Sequence, residues 1–277
     1  MKVRILGIGD VVGRPGRSII KERLGEFMRR ESVDCVVANG ENLAGGSGLL
    51  PQEAEELFQA GVSVITGGDH VWGKKEIIPY IDRTPRLIRP ANYSAEQPGR
   101  GHVVFEAPSG AKIGVVHLQG RVFMNVGCDC PFQTARKVIE ELRQKTPVIA
   151  VDMHCEATSE KVGMGWWLDG HASFVFGTHT HIQTADERIL PNGTAYITDC
   201  GMTGPYDSVI GRRTDRVLHR FTTGMPAHFE VASGDVRLCG ALATVDSESG
   251  RALEVRRVVI HEDGTTVLGE PHGPGGR

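Results

Sequence analysis

The chain has 277 residues, enough to bury a sizeable core as one large α/β domain or two small ones. Lys and Arg number 31 against 34 Asp and Glu, a net charge of −3, which excludes a broad basic surface for nucleic acid. No apolar stretch is long enough to cross a membrane, and the N-terminal apolar run ends at Gly9-Asp10 with no cleavage-like region, so a cytoplasmic protein is expected.

Val3-Arg4-Ile5-Leu6-Gly7-Ile8 reads as a buried strand that runs into Gly9-Asp10-Val11-Val12-Gly13. Pro15 then suits the first turn of a helix with Ile20, Leu24, Phe27 and Met28 on one face. Asp34–Ala38 is a second strand, followed by Asn39-Gly40-Glu41-Asn42. The Gly45-Gly46-Ser47-Gly48 loop lacks the Gly-Lys-Ser/Thr of a phosphate loop and reads as a mobile connection. A helix from about Pro51 stops near Gly61. Val62–Thr66 is the third strand, ending in Gly67-Gly68-Asp69-His70, and a short helix follows around Lys74–Asp82.

Val103–Glu106 and Lys112–Val116 form a hairpin around Ser109-Gly110. A helix over about Pro131–Lys145 turns Ala135, Val138, Ile139 and Leu142 inward. Val148–Val151 delivers Asp152-Met153-His154, and the short run Phe174–Phe176 delivers Gly177-Thr178-His179-Thr180-His181. If the backbone stays extended, His179 and His181 project alike. A second hairpin turns at Asn192-Gly193, and three antiparallel strands are expected between His228 and His261. The Gly/Pro-rich residues 271–277 read as a disordered tail after a single domain spanning 1–270. Strand–helix alternation predicts an α/β sandwich: a largely parallel sheet with a second, mostly antiparallel sheet packed on it.

Polar residues recur at the strand ends. Asp10, Glu41-Asn42, Asp69-His70, His154 and His179/His181 each follow a predicted strand directly. The C-terminal ends of parallel strands line one edge, so these loops meet in one crevice. Taken singly, each is explained by turn initiation or helix capping. Taken together, carboxylates, amide and imidazoles suit Fe, Mn, Zn or Co. Seven or so ligands are too many for one ion with an open position and about right for two ions roughly 4 Å apart that share a carboxylate. Such a pair supports attack at phosphorus, and a histidine outside the ligand set could protonate the leaving oxygen.

The order Gly-Asp, Gly-Glu-Asn, Gly-Asp-His, His, Gly-Thr-His-Thr-His resembles the calcineurin-like metallophosphoesterases. Val12 occupies the position of the histidine in their Asp-x-His element, and Glu41-Asn42 replaces the usual acidic element. Both departures are shared with the bacterial YmdB-type 2′,3′-cyclic-nucleotide phosphodiesterases. Gly9–Arg17, Asn39–Gly46, Glu156–Lys161 and Gly201–Pro205 match that subgroup as well. The resemblance implies a four-layer α/β/β/α sandwich of two mixed sheets flanked by helices. It implies that Asp10, Asn42 and His181 hold one metal, that Asp69, His154 and His179 hold the other, and that Glu41 bridges them. The metals are then two divalent or mixed-valence transition ions, with Fe or Mn ahead of Zn. His70 resembles the general acid of a reaction in which hydroxide held by the metals opens a small cyclic nucleotide to the 3′-nucleotide; a hydrogen-bonding partner of a ligand is its alternative role. Asp69 departs even from the subgroup, where Asn is usual.

Other readings compete. A broader phosphodiesterase, phosphomonoesterase or nucleotidase fits the same site, and a non-catalytic, metal-containing, RNA-associated regulator fits less well with the near-neutral charge. A homo-oligomer is expected, with neither a stable nucleic-acid complex nor a membrane partner. The six cysteines (35, 128, 130, 155, 200, 239) read as reduced thiols, and Cys128-Asp129-Cys130 lacks the second pair a soft-metal site needs. His117 favours a structural or substrate-side role. Asp152 either orients an imidazole or faces away. Trp166-Trp167 suit a core or subunit contact better than a base-stacking role, and Arg14 and Arg121 have no spacing that ties them to a phosphate.

Overall fold

Period-two alternation decides which residues meet. In β1 (Lys2–Ile8), Val3 and Ile5 enter one apolar cluster while Leu6 and Ile8 enter another, so the strand is covered on both faces. The computed structural model describes residues 1–274. After β1 come β2 (Asp10–Val11), α1 (Gly13–Ile19), a π-helical stretch at Ile20–Leu24 and α2 (Gly25–Glu31). Next are β3 (Cys35–Asn39), α3 (Pro51–Gln59), β4 (Val64–Thr66), α4 (Ile78–Arg83) and β5 (Leu87–Ile88). The middle of the chain gives β6 (His102–Glu106), β7 (Lys112–Gln119), α5 (Pro131–Arg143), β8 (Ile149–His154), α6 (Thr158–Trp167) and β9 (Phe174–Thr178). The last third gives β10 (Arg188–Ile189), β11 (Ala195–Ile197), β12 (Met202–Pro205) and α7 (Thr214–Thr223). It ends with β13 (Val236–Asp246), β14 (Ala252–His261) and β15 (Thr266–Leu268).

Two mixed sheets result. The first runs β15-β14-β13-β1-β3-β4-β5, with β2 and β12 attached; the second runs β10-β11-β9-β8-β7-β6. Ile5, Val37 and Val64 of the first sheet pack against Val115, Ala150, Phe174 and Phe176 of the second. Ile19, Leu24, Phe27 and Leu57 cover the outer face of the first sheet, and Ala135, Ile139, Leu142 and Met164 that of the second. This is the four-layer α/β/β/α sandwich.

The split of parallel and antiparallel strands differs from the expectation. Both sheets have parallel centres (β1, β3, β4, β5 and β7, β8, β9, β11), and the antiparallel hairpins extend their edges. Strands β7 to β9 are apolar on both faces just as β1 and β3 are, so the pattern reveals buried strands without saying which sheet each joins. Between His228 and His261 there are two long strands rather than three; the third partner, β15, comes later. Helix α6 had no periodic signal, since it carries Gly163 and Gly165, and a Cβ on Gly165 would meet the Tyr196 ring at 2.5 Å. Of the residues expected to form a disordered tail, His272 exchanges two backbone hydrogen bonds with Val255, and 275–277 lie outside the described residues.

Candidate metal centre and active site

The same alternation aims the site residues. Ile149, Val151 and Met153 of β8 face the helices, which turns Ala150, Asp152 and His154 between the sheets. In β9, Phe174, Phe176 and Thr178 share that face, and the parallel register sets Thr178 beside His154. The short strand β2, directly after β1, and the loops after β3 and β4 bring Asp10, Glu41-Asn42 and Asp69-His70 from the first sheet to the same edge.

The donor atoms converge as two groups, Glu41, Asp69, His154 and His179, and Asp10, Glu41 and His181, each with atoms within 4.8 Å of one another. Glu41 belongs to both. His154 Nε2 lies 3.0 Å from Asp69 Oδ1, 3.2 Å from Glu41 Oε2 and 3.1 Å from His179 Nδ1. His181 Nε2 lies 3.8 Å from Asp10 Oδ1 and 3.3 Å from Asn42 Nδ2. Asn42 Oδ1 faces His70 Nδ1 at 3.2 Å, and the His70 backbone N–H donates to Glu41 Oε2 at 3.1 Å. The structure thus brings all eight predicted residues together.

His179 and His181 do not extend β9 as expected. Their φ angles are +95° and +65°, and this left-handed backbone sends the two imidazoles to different groups. Thr180 between them is fixed by Asp199 Oδ2, which accepts from its hydroxyl at 2.6 Å, and by Lys161 Nζ at 3.0 Å. Lys161 and Asp199 form a fully buried ion pair.

Burial and neighbouring charge pull against each other within the cluster. Burial raises Glu41, but the charge and hydrogen bond of His154 outweigh it and bring the carboxyl down to about 2. Burial also opposes ionisation of Asp69, and the hydrogen bonds from His154 and His179 overcome it, so its pKa is lowered. Asp10 is pushed up to about 7 by burial, against the attraction of His154. His154 is raised well above the usual imidazole value: burial lowers it, but Glu41, Asp69 and Asp10 prevail. His181 is lowered by burial. Asp10 Oδ1 is buried with no hydrogen-bond partner, an arrangement that is costly without a cation beside it. The donor set and this orphaned oxygen fit divalent metal ions.

A supporting shell surrounds the cluster. His154 Nδ1 lies 2.9 Å from Thr178 Oγ1 and 3.1 Å from Asn39 Nδ2. His181 Nδ1 lies 3.0 Å from the Ile210 carbonyl, and His179 Nε2 lies 3.3 Å from Glu156 Oε2. Such contacts fix which nitrogen faces the centre. Asp152 is buried between the sheets, accepts from Thr66 Oγ1 at 2.6 Å and Thr178 Oγ1 at 2.7 Å, and lies 3.1 Å from His117 Nδ1. His117 Nε2 in turn accepts from the Gly68 N–H at 2.9 Å, a structural role.

The centre opens into a cavity of about 390 Å³ lined by His70, His179, His181 and Glu156, and by apolar side chains of the 209–229 segment. Trp166, Trp167, Arg14 and Arg121 are outside its lining. The Gly45–Gly48 loop, expected to be a mobile connection, is tied down by Gly46 N–H to Asn42 O, by Gly48 N–H to Glu41 O and by the Arg212 guanidinium on the Gly45 and Gly46 carbonyls. Sequence reasoning gave no role to Asn39, Glu156, Lys161, Asp199 or Arg212. Asn39, Glu156 and Lys161 fall in matched motifs; Asp199 and Arg212 carry no local signal.

The four-layer fold with this donor set at the shared sheet edge defines a metallophosphoesterase. A family model described as "YmdB-like protein" matches residues 6–258, and the chain belongs to that family. It is 46% identical over 261 residues to a Bacillus subtilis (strain 168) protein named 2′,3′-cyclic-nucleotide 2′-phosphodiesterase, covering 94% of this chain and 98% of that one. Among solved structures, a hypothetical protein from Thermus thermophilus superposes with a TM-score of 0.87 at 39% identity, covering 94% of this chain and 100% of that one. A structure described as a novel phosphatase from Mycoplasma pneumoniae gives 0.87 at 35% identity, covering 94% of each.

Proposed function

We propose that the protein hydrolyses 2′,3′-cyclic nucleotides to 3′-nucleotides at a two-metal centre. The observation that carries this reading is that Glu41 belongs to both donor groups, directly beside an open cavity that His70 lines. Asp10, Asn42 and His181 would hold one ion and Asp69, His154 and His179 the other, with Glu41, common to both donor groups, serving each. For Asn42 this requires its amide to turn by half a rotation, exchanging Nδ2 for Oδ1. Bound there, such ions, for which we favour Fe or Mn, would supply positive charge to the phosphoryl oxygens and make water a stronger acid. Water adds to phosphorus and gives up one proton to solvent, the bond to O2′ breaks, the phosphate stays on O3′, and solvent returns a proton to His70 after the step. His70, whose side chain is 43% exposed on the cavity, gives its proton to the departing O2′. The B. subtilis relative's name supports both the substrate and the bond opened.

The Mycoplasma protein's description as a phosphatase makes a monoesterase the reading to test against. Elemental analysis of purified protein, followed by turnover of 2′,3′-cyclic, 3′,5′-cyclic and monoester nucleotides with added Mn²⁺, separates them. Two metals per chain and a clear preference for the 2′,3′-cyclic diester are expected; faster release of phosphate from monoesters sinks the proposal.

We also place the protein in the cytoplasm as a homo-oligomer. All six cysteines are free, which suits a reducing compartment, and no helix among the described residues is long and apolar enough to cross a membrane. Phe123 and Trp166, 87% and 52% exposed, offer apolar surface to a second copy, and light scattering of the purified protein tests this.

A further inference from the structure

The cavity at the metal centre is chemically two-sided. His70, His179 and His181 line one part, while Ile210, Val217, Phe221 and Phe229 give another part without charge. Large apolar side chains at a surface usually need no explanation when they stand singly. Here two of them, Phe221 at 73% exposure and Ile210 at 48%, stand on the wall of one cleft.

Each is held there by its surroundings. Val217 and Phe221 lie one turn apart on α7, and Val217 is buried, which anchors the face that presents Phe221. Arg213, just before the helix, pairs with Asp215 at 2.9 Å and with Glu230 at 3.1 Å, tying the start of α7 to the strand of chain that carries Phe229. Ile210 has a φ of +46°, a strained conformation for a β-branched residue. Its carbonyl is the partner of His181 Nδ1. The same peptide therefore orients a ligand histidine and sets an apolar side chain on the cavity wall. Arg212 follows, bonded to the carbonyls of Gly45 and Phe229 at 3.1 Å, with no carboxylate within ion-pair reach among the described residues. It sets one guanidinium beside the apolar side chains of the wall.

We propose that this apolar wall is a nucleobase platform, on which Phe221 stacks against the base of a nucleotide whose phosphate lies at the metal centre. The inference deepens the reading above and rests on it. Stacking on an aromatic face beside a guanidinium accepts any base, because every base has a π-face. Discrimination by hydrogen bonding needs free donors or acceptors at the base edge, and those of the lining are engaged: Glu41 and Glu156 face His154 and His179, Asn42 faces Glu41 and His70, the Thr180 hydroxyl faces Asp199, and Arg212 is bonded to backbone carbonyls. The platform thus favours nucleotides over base-free sugar phosphates and separates adenine from guanine little.

Calorimetry on the Mn²⁺-loaded full chain tests this with 3′-AMP and ribose 3-phosphate. In the natural chain 3′-AMP is expected to bind about tenfold tighter, the scale of one base–aromatic stack. In Phe221→Ala the two ligands converge, and Phe221→Tyr restores the difference. Because Phe221 is exposed, its truncation leaves the core intact. Equal affinity of the two ligands in the natural chain, or an undiminished difference in Phe221→Ala, overturns the platform. Turnover of 2′,3′-cyclic AMP, measured alongside, reports on the proposed reaction separately: a chain that binds 3′-AMP preferentially yet leaves the cyclic diester intact keeps the platform and loses the reaction.

Discussion

Asp69 stands where the metallophosphoesterases this chain resembles carry Asn. Its Oδ1 is 3.0 Å from His154 Nε2 and 3.4 Å from His179 Nδ1, so its charge falls on the donor group built from those two histidines. An added negative charge strengthens cation binding and weakens the Lewis acidity that remains for substrate. Asp69→Asn is therefore expected to lose Mn²⁺ affinity about tenfold and to turn over faster per occupied site; indistinguishable metal content and rate would sink the idea. His70 lies 3.7 Å from Asp69 Oδ2 and 3.2 Å from the Asn42 side-chain amide, which keeps both general-acid and ligand-supporting roles physically available. His70→Ala separates them. As a general acid its loss costs roughly 10²–10⁴ in kcat with two metals retained. A supporting residue would instead lose metal while keeping its rate per loaded centre.

Strand ends explain why much of the centre was legible and part of it was not. Asp10, Glu41, Asp69, His154 and His181 follow apolar runs directly, so the linear pattern alone brings them to one edge. Lys161 on α6 and Asp199 before β12 meet only because the sheet stacks as it does, and nothing near either residue in sequence announces the pair. Asn39 reads only as a residue before a turn, and Asp152 as either orienting an imidazole or facing away, until two sheets face each other across them. The Lys161–Asp199 pair restrains Thr180 between His179 and His181, both in left-handed conformation. Lys161→Met strands a buried carboxylate, a loss of about 3–5 kcal/mol by the usual cost of breaking such a pair. It should lower both Tm and metal stoichiometry, and adding Asp199→Asn should recover part of Tm. Additive losses in the double variant would contradict the pairing. Gly68 is a second constraint of this kind, with φ +53° and a Cβ position only 2.0 Å from Glu41 Oε2. Gly68→Ala is expected to abolish binding of both metals, measurable by elemental analysis of the folded variant.

Across the whole molecule, the centre joins the two sheets at their common edge. Asp10, Glu41, Asn42 and Asp69 arrive from the first sheet and His154, His179 and His181 from the second. Cations bound there act as a cross-link that exists only in the folded state, worth about 2.7 kcal/mol per site at a hundredfold excess over Kd. For a chain of this size that is roughly 5–10 °C in Tm per site. The gain carries a pH sign. Without cations, Asp10 has a folded pKa near 7 and His154 one well above the usual value. Both raised groups lend stability at low pH that is lost as pH rises through their folded values. Glu41 and Asp69, which are lowered, lend stability already complete above about pH 5. His181, lowered by burial, lends stability that grows as pH rises towards the free imidazole value and offsets part of the loss below about pH 6.5. The two raised groups therefore make the cation-free protein weaken chiefly towards pH 8. Cation binding displaces the protons on Asp10 and His154, so loading becomes easier as pH rises. The Tm difference between Mn²⁺-loaded and chelated protein should widen from about pH 5.5 to pH 8 in scanning calorimetry. A difference that is constant, or that shrinks, would mean that the protons on Asp10 and His154 are not what the cations replace.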